Sequence, residues 1–155
     1  MASWSEVEAD APELAALARR LFDRRKHMTL ATLRRDGSPR ISGTEAIFAE
    51  GELWLGSMWR ARKALDLRRD PRFALHGGSV DPPEWEGDAK LAGRAEEITD
   101  PERVAAIIGD RGSDRSHLFR ADIAEVSVVR LGEPRDHLVI ESWRAGRGVS
   151  RLERR

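Results

Sequence analysis

Apolar and polar positions divide the chain into segments of different period. Leu14, Leu17, Ala18, Leu21 and Phe22 recur at helical spacing, behind Asp10 as N-cap, Pro12 in the first turn and Glu13 three residues after the cap. Arg24, Arg25 and Lys26 close this predicted helix with cations, as the helix dipole favours. After His27 the period shortens. Residues 28–33 predict a strand covered on both faces, and Asp36-Gly37 before Ser38-Pro39 predicts a hairpin turn. A second strand covers 40 to about 48, Glu50-Gly51 turns the chain, and a third strand runs from 53 to about 58. A second helix spans roughly 61–69 and is stopped by Asp70-Pro71. Residues 73–76 form a short strand, 77–83 a loop, and about 89–98 a fifth strand. Thr99-Asp100-Pro101-Glu102 reads as a capping box that opens a third helix carrying Val104, Ile107 and Ile108. The polar stretch 109–117 reads as a loop or fragmentary helix, and strands at 123–131 and 137–143 flank a turn at 132–135. From Ala145 the arginine- and glycine-bearing tail reads as mobile or docked on a partner.

No strand–helix–strand rhythm, internal repeat or linker is present. The pattern predicts one mainly β domain with α over 1–155: six or seven mostly antiparallel strands closing a barrel or sandwich, with about three helices outside.

Composition narrows the function classes. Hydrophobic residues make up 40% and charged residues 35%, so a core is available beneath a highly charged surface. Lys+Arg and Asp+Glu each total 27, and this zero balance argues against nucleic acid or an anionic membrane as partner. Cysteine is absent, which excludes disulfides, thiolate metal sites and a cysteine nucleophile. No apolar run approaches the roughly 18 residues of a membrane span, and the polar start Met1-Ala2-Ser3-Trp4-Ser5-Glu6 is unlike a signal peptide. The expectation is a soluble, cytoplasmic protein.

Candidate chemistry concentrates where the third strand meets the second helix, in Gly56-Ser57-Met58-Trp59-Arg60-Ala61-Arg62-Lys63. Cations at a helix N-terminus are opposed by the dipole, at a cost of a few tenths of a kcal/mol each, to about 1. The same N–H groups, with a serine hydroxyl and cationic side chains, suit a phosphate. A merely solvated surface is the alternative reading of Arg60, Arg62 and Lys63. On the second strand, Arg40, Ser42 and Thr44 share one face, and Ile41, Gly43 and Glu45 the other. Gly43 marks either a bend or a close approach of a backbone or flat ligand. His27, His76, His117 and His137 lack metal-ligand spacing, and Glu84 and Glu86 around Trp85 read as a solvated loop, so no metal site is expected. With no nucleophile elbow and no P-loop, any chemistry would come from a cofactor.

Arg40-Ile41-Ser42-Gly43, Gly56-Ser57, and Arg62-Lys63-Ala64-Leu65-Asp66-Leu67 with Asp70-Pro71-Arg72 together resemble the flavin-binding core of the pyridoxamine 5′-phosphate oxidase-like family, an FMN-binding split β-barrel fold. The order of elements matches over roughly residues 11–143, most specifically over 54–72. The resemblance implies that Arg62 and Lys63 bind a flavin phosphate, that Gly56 and Ser57 line the phosphate and ribityl chain, and that Arg40, Ile41, Ser42 and Gly43 follow the isoalloxazine edge. It implies a homodimer with the cofactor at the subunit interface, the second chain contributing from strand five and the C-terminal hairpin, Trp143 and Arg144 included. It implies an oxidoreductase passing hydride between flavin N5 and a small molecule. Asp88 stands where the oxidase carries a flavin-contacting glutamine, and no C-terminal Arg-x-His motif occurs, which argues against pyridoxamine phosphate as substrate. Short relatives bind the deazaflavin coenzyme, and some bind heme or biliverdin. A deazaflavin-dependent reductase is therefore the runner-up, with Arg34, Arg35 and Arg60 available to a poly-glutamate tail, and a flavin or heme carrier or sensor is a further alternative.

Overall fold

The structure is a computed structural model, described for residues 1–109 and 116–155. Among these residues the chain runs α1 (Trp4–Asp10), α2 (Pro12–Asp23), β1 (His27–Leu33), β2 (Pro39–Ala49), β3 (Glu52–Met58), α3 (Arg62–Arg69), β4 (Arg72–His76), β5 (Asp88–Ile98), α4 (Pro101–Ile108), β6 (Ser116–Leu131), β7 (Leu138–Arg144) and β8 (Gly148–Arg154). The strands are ordered β3-β2-β1-β4-β5-β6-β7-β8, and an added β3–β6 pairing closes the first six into a barrel. Every pairing is antiparallel. β6 makes the closure possible because it is 16 residues long. Its first residues, 116–120, pair with β3, and residues 125–131 pair with β7.

The interior is built by alternation. Leu30, Leu55, Leu75, Leu91, Phe119 and Val126 point inward from their strands and are buried. One end is covered by α2, which sinks Leu14, Ala15, Ala18, Leu21 and Phe22 into the same cluster. A bulge between Ala92 and Gly93 bends β5 around the barrel. Only glycine fits there: a Cβ on Gly93 would lie 2.1 Å from the Asp122 carbonyl oxygen.

The fold is the mainly β barrel with helices that the pattern predicts, with differences at the ends. Trp4–Asp10 forms a helix absent from the sequence reading, fixed by a capping box between Ser3 and Glu6. Asp10 is its last residue rather than the N-cap of α2, a position held by Ala11. The tail is also ordered, since 148–154 pairs with β7 along its whole length as an edge strand. Of the predicted loop at 109–117, residues 110–115 lie outside the described residues, Gly109 caps α4, and Ser116 and His117 already belong to β6. The α4 cap is Asp100, whose carboxylate accepts from the Glu102 N–H at 3.3 Å. No helix among the described residues is long and apolar enough to cross a membrane.

Candidate functional site

The β3–α3 connection is a tight turn followed at once by a helix. The Ala61 N–H donates to the Met58 carbonyl at 3.1 Å, and Arg60 adopts a left-handed backbone with φ 59°. Such a backbone is strained for a residue other than glycine and persists only when its surroundings hold it. His117 of β6 supplies the hold, because its Nε2 accepts the Arg60 N–H at 3.0 Å. The imidazole is buried, and its Nδ1 lies 2.7 Å from Glu97 Oε1. Glu97 in turn accepts two hydrogen bonds from Arg68 of α3, at 2.6 and 2.9 Å. Those Arg68 bonds are the main reason the Glu97 carboxyl is held below its ordinary range. Trp59 lies flat on His117, with ring centroids 4.7 Å apart and planes within 9°.

α3 begins without a side-chain cap, so its first N–H groups have no internal acceptor. Lys63, in its first turn, folds back across β2 and donates to the Gly43 carbonyl at 2.8 Å. Burial lowers its pKa, and no carboxylate among the described residues lies within ion-pair distance of it. Arg60 and Arg62 are exposed and have no side-chain partner among the described residues. The Ser57 hydroxyl makes a long 3.3 Å bond to the Met58 carbonyl. Gly56, Ser57 and Lys63 line a groove of about 1120 Å³, with Trp59 on one side and Ile107 and Ile108 of α4 on another.

The structure splits the other predicted residues between two faces of β2. Arg40 points inward, where its Nε donates to Asp66 Oδ2 at 2.7 Å. Asp66 is buried, and also accepts from Thr32 at 2.8 Å and from Arg69 at 3.0 Å. Burial alone would raise this carboxyl, but the bonds from Arg40, Thr32 and Arg69 outweigh it and leave the pKa lowered. Arg40 is thus committed to α3. Ser42 shares its inward face, as does Thr44, whose buried hydroxyl has no hydrogen-bond partner among the described residues. Ile41 and Gly43 face outward, and Ile41 is 74% exposed.

Trp143, read from the resemblance as a contact to a cofactor from a partner subunit, lies on β7. It is buried in its own chain's core, and its indole N–H donates to Asp10 Oδ2 at 2.6 Å. Arg144 is exposed and paired with Glu125, and Asp88 accepts from the Ser79 hydroxyl at 2.7 Å. Among the described residues no three His, Asp or Glu side chains converge as metal ligands. Sequence reasoning assigned no individual role to Trp59, Asp66 or His117, although each stands in a stretch or set named above, and Glu97 was missed. For Asp66 the signal was present: a carboxylate between Ala64 and Leu67 on the buried side of a helix needs a partner.

The family model described as pyridoxamine 5′-phosphate oxidase matches residues 14–130. A pyridoxamine 5′-phosphate oxidase-related, FMN-binding protein from Nostoc punctiforme is 18% identical, with TM-score 0.64 over 100% of this chain and 98% of that one. PhzG from Burkholderia lata, solved with tetrahydrophenazine-1-carboxylic acid, is 15% identical, with TM-score 0.65 over 94% of this chain and 95% of that one. An F420 reductase is 16% identical, with TM-score 0.55 over 70% of this chain and 94% of that one. No curated protein sequence matches the chain. Identities this low establish a shared fold.

Proposed function

The chain belongs to the pyridoxamine 5′-phosphate oxidase family, and from that premise we propose that it binds FMN with the phosphate at the β3–α3 turn and acts as a flavin-dependent oxidoreductase on a small molecule. One observation carries this reading: Lys63 is a half-buried ammonium in the first turn of an uncapped helix, with a carbonyl but, among the described residues, no anion beside it. An arriving phosphate would offset the desolvation of Lys63, accept the free N–H groups of α3, and bring Arg60, Arg62 and Ser57 into use. Charge-assisted bonds of this kind contribute about 1.5–3 kcal/mol each, and the helix terminus about 0.3–1 more. The donor set therefore fits a phosphomonoester. When bound, the flavin supplies hydride transfer at its N5. The protein's part would be to anchor the phosphate, seat the ring against β2, and limit water with the apolar groove wall of Trp59, Ile107 and Ile108.

A homodimer belongs to the same proposal. Ile41, Ala31, Ala74 and Ala92 stand in one register row across β2, β1, β4 and β5, on the outer face of the barrel. A flat, small-residue row beside an exposed isoleucine suits a second copy laid across it. The deazaflavin reading uses the same anion site. It is favoured by Arg34 and Arg35, which are exposed at the β1–β2 turn and have no carboxylate partner within ion-pair distance among the described residues.

The test is titration of the purified protein with FMN and with the deazaflavin coenzyme, in wild type and Lys63→Ala. FMN binding weakened about tenfold or more in the variant is expected from loss of one charge-assisted contact. Selective deazaflavin binding would move the function to the runner-up. Binding of neither would overturn the cofactor reading, and bound flavin that no reductant or substrate bleaches would mark a carrier.

A further inference from the structure

The anion site described above is held in shape from the far side by a chain of three side chains. Arg68 of α3 fixes Glu97 of β5 through two hydrogen bonds, Glu97 meets His117 Nδ1, and His117 Nε2 meets the Arg60 N–H. The donor pattern sets the tautomer. A backbone N–H can only donate, so Nε2 must carry a lone pair, and the ring proton sits on Nδ1 facing the Glu97 carboxylate. The ring has no slack, being buried and stacked under Trp59. The residue it holds is the one strained position in the turn, with φ 59° on an arginine. Two independent features thus meet at Arg60: a backbone that needs outside support, and a buried acceptor that gives it.

We propose that His117 is a positioning residue for the anion site, whose neutral form holds the β3–α3 turn in its ligand-ready shape and whose protonation on acidification releases the turn and weakens ligand binding. A second proton on the ring has only Nε2 to occupy. It would convert the acceptor into a donor pointing at another donor, and the Arg60 N–H would lose its partner. Arg60 would then relax out of the left-handed region, carrying Trp59 on one side and Arg62 and Lys63 on the other. Among the described residues, the charged groups placed around the ring are Glu97 from β5, Arg68 from α3 and Arg60 from the turn. Arg68 holds the Glu97 carboxyl below its ordinary range. The ligand half of the proposal rests on the phosphate reading of the turn, whereas the structural half does not.

The experiment uses the full chain without ligand, followed by 1H–15N NMR between about pH 7.5 and about pH 5.5, the range imidazoles span. The Arg60 amide and the His117 ring nitrogens are expected to titrate with one midpoint, and amide protection at Arg60 to fall at least about tenfold below it. In His117→Gln, whose side-chain oxygen accepts without titrating, the Arg60 amide is expected to stay pH-independent. FMN is then titrated at both pH values into both proteins. Its dissociation constant should rise roughly fivefold more on acidification in wild type than in His117→Gln, the worth of one hydrogen bond. Taking the ratio of the two proteins cancels protonation of the FMN phosphate itself. An Arg60 amide indifferent to His117, a ring that keeps Nε2 unprotonated to about pH 5.5, or parallel FMN profiles in the two proteins would each overturn the proposal. Failure of FMN to bind either protein at any pH would overturn the flavin reading instead, and the Arg60 amide alone would then decide the role of His117.

Discussion

A buried carboxylate gripped by two guanidiniums and a hydroxyl makes Asp66 the side chain on which the site end of the barrel depends. It joins β1 through Thr32, β2 through Arg40 and its own helix through Arg69. Removing one member of such a cluster leaves the others desolvated without a counter-charge. Asp66→Ala is expected to cost about 3 kcal/mol, the low end for a broken buried pair because Arg40 and Arg69 keep part of their water. Urea unfolding of the two proteins measures it. Asp66 has a lowered pKa in the folded state, so the stability it contributes is fully present above the unfolded carboxyl value near about 4 and is lost as pH falls through the folded one. Wild type should therefore lose stability below about pH 4 more steeply than Asp66→Asn, and equal slopes would contradict the role given to Asp66. The same cluster holds a residue that the resemblance set along a flavin edge. Arg40 stands in a motif associated with flavin binding, and its charge gave no hint that a carboxylate 26 residues later would claim it.

Among the elements, legibility followed the strength of alternation. β1 to β5 could be read because Gly or Pro lies at most of the breaks between their apolar runs, although β1 buries only one face, where its run suggested two, and the β3–α3 turn carries neither residue. α1 was missed because only Trp4 and Val7 mark its buried side, although Ser3 and Glu6 spell its capping box. β8 was missed because its residues are exposed or half-exposed, so the pairing that orders it leaves no hydrophobic pattern. The first half of β6 was missed because Arg120 and Asp122 interrupt it with charge. Two strand glycines separate fold from site. Gly93→Ala is expected to cost about 3 kcal/mol or more, since its Cβ would meet the Asp122 carbonyl. Among the described residues nothing lies within 4 Å of a Cβ built on Gly43. Gly43→Ala should therefore change the melting temperature little, within about 0.5 kcal/mol. If that variant melts like wild type yet loses FMN, the glycine is serving a ligand or a partner rather than the bend of the strand.

At the scale of the whole molecule, the groove and the outer barrel face meet at β2. Lys63 reaches the Gly43 carbonyl from the groove side, while Gly43 and Ile41 look outward with Ala31, Ala74 and Ala92. A cofactor anchored at the turn and extending along β2 would come to the rim of that outer face, where a second copy would complete its enclosure. Dimerisation and flavin retention should then be coupled in one direction only. Ala74→Arg places a long cation in the middle of the small-residue row without touching the barrel interior. Its expected outcome is a monomer in sedimentation velocity with a near-native melting temperature, and with FMN affinity reduced about tenfold or more as the enclosing surface is lost. Lys63→Ala should do the reverse, losing FMN while sedimenting as wild type does, because the lysine lies on the groove side. A monomeric Ala74→Arg protein that keeps full FMN affinity would sever the link and leave the turn as a self-sufficient site within one chain.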